Sequence, residues 1–171
     1  MRLFKLDPRL GTIAALVPEG AVLYDVGTDH ARLPVWLAVN GKIARAVASD
    51  AAEKPLTVAR RNVERFGVQD RVEVCLWDGV PPQAREDADC IVIAGMGGET
   101  IVSILEAADW LRERDIPLIL QPMTRREVLR DWLAGRFLIE EERSAADPVS
   151  VSEKVNAHRR TYIIWKVRSV R

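Results

Sequence analysis

Net charge is what this sequence most plainly lacks: its 25 lysines and arginines are balanced by 25 aspartates and glutamates. A dedicated polyphosphate binder carries a basic surplus, so the total gives no argument for nucleic acid, although local patches count for more than sums. Cysteine is nearly missing. Cys75 and Cys90 lie in apolar runs, without Cys-x-x-Cys spacing or a histidine cluster beside them. That excludes a disulfide scaffold, points to no metal, and predicts two buried, reduced thiols in a cytosolic protein. No apolar run reaches bilayer length, and the opening "MRLFKLDPRL" has no uninterrupted apolar core of a signal peptide. The expectation is a soluble, cytoplasmic chain without a membrane partner. Internal repeats, low-complexity tracts and a second domain are also missing. The 171 residues suffice for one domain with a full core. It would span 1–171, with a leading helix over 8–17 and a core over 21–168.

What is present is alternation. Apolar runs at Ala21–Gly27, Arg45–Asp50, Arg71–Gly79, Asp89–Gly98 and Ile116–Pro122 read as strands. The fourth, "DCIVIAGMGG", is almost wholly apolar, as a strand covered on both faces must be. Helical periodicity separates them. Pro55 suits the first turn of a helix through Val58, Ala59, Val63 and Phe66. Ile101, Ile104, Leu105, Ala108 and Leu111 form a second stripe. Thr124 followed by Glu127 has the spacing of a capping box, ahead of Val128, Leu129, Trp132 and Leu133. Leu10, Ile13, Ala14 and Val17 form the leading helix, placed over the first strand. Strands that alternate with helices predict a doubly wound, Rossmann-like α/β sheet. After the last helix the pattern changes. "FLIEEER" and "TYIIWKVR" read as strands joined by the polar linker "SAADPVSVSEKVNAH", with no crossover helix, so they should pair antiparallel. A seven-stranded sheet closing with such a hairpin is the order found in class I methyltransferases, which use S-adenosylmethionine (SAM). The closing stretch is basic: Lys154, Arg159, Arg160, Lys166, Arg168 and Arg171 against Glu153. It reads as an edge strand guarded by charge, or as a phosphate-contacting rim.

Ligands of such sheets bind beyond the carboxyl ends of the strands. The acids and glycines of this chain collect there. "DVGTDHARLP" (Asp25–Pro34) follows the first strand with one glycine, where a pyrophosphate-binding loop needs G-x-G-x-x-G. Asp29 stands where the second glycine would be and would repel a pyrophosphate. SAM has a sulfonium cation and an amino-acid head but no phosphate, so an acid in the loop is tolerable or helpful. Asp50 ends the second strand, either to accept ribose hydroxyls or to cap the next helix. Asp78 ends the third, either to accept the adenine amino group or to form a turn before Gly79. "AGMGGE" (Ala94–Glu99) permits close approach of a ligand, or makes a tight strand-to-helix turn. An Asn/Asp-Pro-Pro-aromatic grip for exocyclic amines is missing here, which favours a ring nitrogen as acceptor. A Pro-Cys nucleophile is missing too, which disfavours attack at carbon 5 of a pyrimidine. His30 is a candidate base or a packing residue. Gln121, Pro122 and Met123 are placed beside the acceptor. Trp110 and Trp132 read as core; Trp36 and Trp77 are the tryptophans available for stacking.

Six segments carry a resemblance: "RLGTIAALVPEG", "DVGTDHARLPVWL", "EKPLTVARRNV", "DGV", "IVIAGMGGETIVSIL" and "LILQPMTRREVLRDWL". In this order, from Arg9 to Leu133, they resemble the bacterial tRNA (adenine-N1) methyltransferases of the TrmK family, which modify the adenine at position twenty-two of tRNA. The resemblance implies a class I fold, SAM as cofactor, tRNA as partner and methylation of adenine N1. By motif, Asp25, Gly27, Thr28, Asp50, Ala51, Asp78 and Gly79 would line the cofactor site. Ala94, Gly95 and Met96 would border the methyl group. Gly97, Gly98, Gln121, Pro122 and Met123 would border the acceptor. Asp29 would be catalytic, with His30 second. Members of the family continue into a helical, coiled-coil-like extension, whereas this sequence stops at Arg171. A same-fold enzyme with another acceptor and a SAM-binding module without turnover are the competing readings.

Overall fold

The computed structural model describes residues 2–148 and 159–170. Seven strands form one sheet in the order β3-β2-β1-β4-β5-β7-β6. They are β1 (Ala21–Val26), β2 (Ile43–Asp50), β3 (Val72–Leu76), β4 (Cys90–Gly97), β5 (Leu118–Thr124), β6 (Phe137–Ala146) and β7 (Thr161–Ser169). The first five run parallel. β7 enters antiparallel between β5 and β6. The winding reverses between β1 and β4, which opens a crevice at their carboxyl ends. This is the doubly wound sheet with a closing antiparallel hairpin that the sequence predicts.

Both faces are covered, which is why β1 and β4 need apolar residues at consecutive positions. Neighbours such as Leu23 and Tyr24, or Val92 and Ile93, point to opposite faces, and all four are buried. On one face α1 (Pro8–Leu16), α2 (Arg32–Val39) and α3 (Glu53–Arg65) enclose Leu23, Leu37, Leu56, Val92 and Ile119. On the other, α5 (Gly98–Ala107) and α6 (Arg126–Leu133) enclose Tyr24, Ile93, Ile101, Leu105 and Trp165, with the one-turn α4 (Ala84–Asp87) at the β3–β4 crossover. Among the described residues, no helix is long and apolar enough to cross a membrane.

Several local expectations change. α1 lies against α2 and across β6 and β7, not over β1, because α2 already covers β1 on that face. Thr124 does not cap α6. It ends β5, where it pairs with Gly97 of β4, and Arg125 takes the cap position in the left-handed region. Leu111 belongs to a separate 3-10 turn, Asp109–Arg112, after α5 has ended. β7 is an interior strand; β3 and β6 are the edges. The charge of Arg168 is met by Asp115 and Glu140, so it guards no edge. Ser144, Ala145 and Ala146, placed in the linker by composition, pair with β7 as the end of β6. Residues 149–158, with Glu153 and Lys154, and Arg171 lie outside the described residues. Cys90 is buried and its thiol is pushed up to about 12 by desolvation, but Cys75 is only half-buried. Trp110 and Trp132 are half-buried, and the tryptophan sealed in the core is Trp165.

Candidate active site

Beyond the carboxyl ends of the parallel strands lies a cavity of about 640 Å³. Its floor begins at Asp25, the penultimate residue of β1 and 6 % exposed. Gly27 follows at φ +71, and a Cβ there would stand 2.0 Å from the Met96 methyl carbon. Glycine at this point lets the loop close against β4. The Thr28 amide donates to the Ser49 carbonyl at 2.8 Å, and its hydroxyl donates to Asp25 Oδ2 at 2.6 Å. Asp29 and Ala31 then both adopt positive φ, 56 and 55. Two non-glycine residues in this region within one turn store strain of the kind that collects at functional loops.

Asp50 holds that strain. Its Oδ2 accepts from the Asp29 amide at 3.2 Å and its Oδ1 from the Ala52 amide at 3.0 Å. The cap position of α3 belongs to Ala52, so Asp50 links two loops at the cavity wall and does not cap the helix. Asp29 projects outward, its side chain 72 % exposed, with Oδ1 3.6 Å from His30 Nε2. That contact is screened by water and contributes little to stability. The backbone carbonyl of His30, not its ring, accepts from Asn62 Nδ2 and ties the loop to α3.

Trp77, Asp78 and Gly79 form the next wall. Gly79 has φ +85, so Asp78 precedes a turn that requires glycine and also lines the cavity. Ala94, Gly95 and Met96 form the wall opposite. The β4 ladder shifts register there, and Gly95 takes φ +78. Behind this bulge sits Gln121, fully buried. Its Oε1 accepts from the Gly95 amide at 3.0 Å and from Arg9 Nη1 at 2.9 Å, while its Nε2 donates to the Pro122 carbonyl at 3.0 Å. The buried amide thus keeps its polar groups paired and fixes the bulge.

The cavity wall brings together Asp25, Gly27, Thr28, Asp29, His30, Asp50, Ala51, Asp78, Gly79, Ala94, Gly95 and Met96. Gly97, Gly98, Gln121, Pro122 and Met123 stand outside it. Residues not foreseen are Arg9 and Leu10 of α1, Val26 of β1, Arg32 and Leu33 of α2, and Thr100, Ser103, Ile104 and Ala107 of α5. For Arg9 a signal existed: it shares a helix stripe with Ile13 and Leu16, both buried, and a cation on an inward face needs a reason.

Asp25, Asp50 and Asp78 therefore line one space, with the exposed Asp29 at its rim. Their carboxylates suit a ligand with cationic centres and hydroxyl donors. Among the described residues, no group of three histidine, cysteine, aspartate or glutamate side chains could hold a metal ion.

The Asp25 carboxyl is pushed up to about 6, from an ordinary 3.8, mainly by burial. The Thr28 hydroxyl and Arg9 oppose the rise, and Asp50 and Asp29 add to it. A folded-state pKa above the unfolded one gives stability that is present below the unfolded value and lost as pH rises through the folded value. Above pH 6 the buried carboxylate weighs against the fold. Asp25→Asn is therefore expected to stabilise the ligand-free protein at pH 8 by roughly 1–3 kcal/mol, and by less at pH 5. Urea unfolding at the two pH values measures this, and a difference that does not change with pH contradicts it.

A family model described as a methyltransferase domain matches residues 6–151. The tRNA (adenine(22)-N(1))-methyltransferase of Bacillus subtilis is 41% identical over 134 residues, covering 78% of this chain and 56% of that protein. This chain thus spans little more than half the length of that curated relative. The crystal structure of the B. subtilis M1A22 tRNA methyltransferase TrmK superposes with a TM-score of 0.82 at 33% identity, over 99% of this chain and 68% of that one. The M. capricolum TrmK, solved with S-adenosyl-homocysteine, gives a TM-score of 0.76 at 27% identity, over 98% of this chain and 69% of that one.

Proposed function

The chain belongs to the TrmK family of methyltransferase-domain proteins, and on that premise we propose that it methylates N1 of an adenine in tRNA, at position 22 as named for the B. subtilis relative. The methyl donor would be S-adenosyl-L-methionine, the domain one unit over 1–171, and the compartment that of its substrate, the cytoplasm. One observation carries the reading: an acid-lined cavity at the sheet's switch point, under a strained loop that holds Asp29 outward.

The residues fit the donor. The cavity volume of about 640 Å³ lies in the range of small-ligand sites. Gly27 and Gly95, both at positive φ, bring bare backbone to its wall. Asp50 is placed to accept ribose hydroxyls, with Thr28 and Ala51 beside it. Asp78 is placed to accept the adenine amino group, and Gly79 makes its turn. Asp25 faces the positively charged part of the molecule. When bound, the donor supplies an electrophilic methyl group on a sulfonium.

The chain's own work is then electrostatic. Adenine N1 already carries an available lone pair, so no base is needed to expose a nucleophile. Methylation builds positive charge on the ring. The Asp29 carboxylate can stabilise that charge or take a proton from the exocyclic amine as it acidifies. His30 contributes through its 3.6 Å approach to Asp29. Gln121 acts from behind, fixing the Gly95 bulge. Gly97, Gly98, Pro122 and Met123 carry the backbone past the acceptor side. Incubating unmodified tRNA with S-adenosyl-L-methionine and analysing the nucleosides by mass should yield N1-methyladenosine. Methyl on another atom, or no product, rejects the reading.

A further inference from the structure

A second hollow, a groove of about 920 Å³, runs beside the cavity described above. One wall is the N-terminal segment and the start of α1, with Lys5, Pro8 and Thr12. The other is the end of β6, with Arg143 and Ser144, and then Pro148. Arg32 lines both hollows, so the groove and the cavity share a wall. Its Nη2 donates to the Lys5 carbonyl at 3.0 Å, and its guanidinium lies over the Phe4 ring. Arg32 thus fixes the N-terminal segment in place as one side of the groove.

The chemistry of the groove is opposite to that of the cavity. Its charged groups among the described residues are Lys5, Arg32, Arg143 and one acid, Asp7. Asp7 is engaged as the cap of α1, where its Oδ1 accepts from the Leu10 amide at 2.8 Å. Lys5 is exposed, and no carboxylate pairs with it among the described residues. Arg143 is exposed and meets Glu141 Oε1 at 2.6 Å, a surface contact that costs little to exchange. Arg160 adds a charge at the far end. It is exposed, and its carbonyl accepts from the Asp147 amide at 3.0 Å, next to Pro148. Because β7 runs antiparallel to β5, this end of the hairpin stands at the carboxyl ends of the parallel strands, level with the cavity mouth.

A polynucleotide that brings one adenine to the Asp29 rim must turn that base out of its stack. The phosphates on either side then need cations outside the cavity. We propose that the groove holds the RNA strand flanking the target adenine, with Lys5, Arg143 and Arg160 on its phosphates. The proposal rests on tRNA as the substrate under the proposed function.

Binding of labelled, unmodified tRNA, followed by fluorescence anisotropy at several salt concentrations, tests it. Lys5→Gln, Arg143→Gln and Arg160→Gln should each weaken binding by about 3- to 10-fold and lower the salt slope by about 1. Lys5→Arg should keep both. Arg112→Gln is the control for net charge: Arg112 is exposed in the 3-10 turn that precedes β5, at the opposite end of the sheet, and its loss should change neither. Calorimetry should give the same affinity for S-adenosyl-L-methionine in every variant, which a damaged fold would not allow. If the groove variants keep the affinity and slope of the unaltered protein, or if Arg112→Gln matches them, the proposal is overturned while the tRNA reading stands. If the unaltered protein does not bind tRNA, that reading fails first and the proposal falls with it.

Discussion

Asp29→Ala is expected to slow methyl transfer by about 100- to 1,000-fold while leaving donor affinity nearly unchanged. The side chain is mostly solvent-exposed, and among the described residues its polar contact is the 3.6 Å approach to His30. Removing it therefore empties no core. The Asp29 bond to Asp50 runs through the backbone amide and survives any substitution except proline. Alanine does carry a conformational cost at φ +56, because a Cβ in the left-handed region is tolerated best in asparagine and aspartate. Asp29→Asn is the cleaner partner experiment, since it keeps the backbone preference and removes the charge. Both variants should be slow, and single-turnover rates with donor titrations separate chemistry from binding. His30→Ala should be milder than either, because the backbone of His30 secures the loop.

Gly98→Ala is expected to destabilise the fold by about 1–3 kcal/mol or more, with a thermal midpoint several degrees lower. A Cβ at Gly98 would stand 2.1 Å from the Arg125 carbonyl oxygen and 2.8 Å from its carbonyl carbon. Both are backbone atoms, and Arg125 itself sits at φ +51, so the clash cannot be relieved by a rotamer change. The start of α5 would have to move away from the start of α6. Gly11→Ala is the comparison: nothing lies within 4 Å of its Cβ position and its φ is ordinary. In that helix interior alanine should be neutral or stabilising by up to about 1 kcal/mol. Equal loss in the two variants would contradict the packing account of Gly98. The second glycine of "MGG" is thus explained by contact between elements before any role at the acceptor is needed.

The sequence showed the strand ends well because each feature there is local. Asp25, Asp50 and Asp78 each close or directly follow an apolar run, and Gly27, Gly79 and Gly95 mark turns that glycine alone enters easily. What stayed hidden depends on contacts between distant positions. Arg9 reaches Gln121 across 112 positions, and nothing near either residue advertises the other. Gln121 looked like a pocket residue because it ends an apolar strand, yet its amide lies one layer behind the wall. Lys166 and Arg168 suggested an edge strand by their charge. Burial of Ile164, Trp165 and Val167, and the pairing of Arg168 with Asp115 and Glu140, let β7 sit inside the sheet. Thr124 had the spacing of a cap, but pairing with Gly97 drew it into β5. In each case tertiary pairing overrode a local signal.

Under the proposed function, this cavity delivers a methyl group to the Watson–Crick edge of one adenine in tRNA. A methyl on N1 blocks base pairing, so a reverse transcriptase copying the product must halt beside it. Unmodified tRNA treated with the protein and S-adenosyl-L-methionine should show a new stop at adenine 22. The stop should disappear when that adenine is replaced by guanine, and should appear far more slowly with Asp29→Asn. A stop at another position, or full-length copying of a tRNA that has acquired methyl groups, would contradict the account.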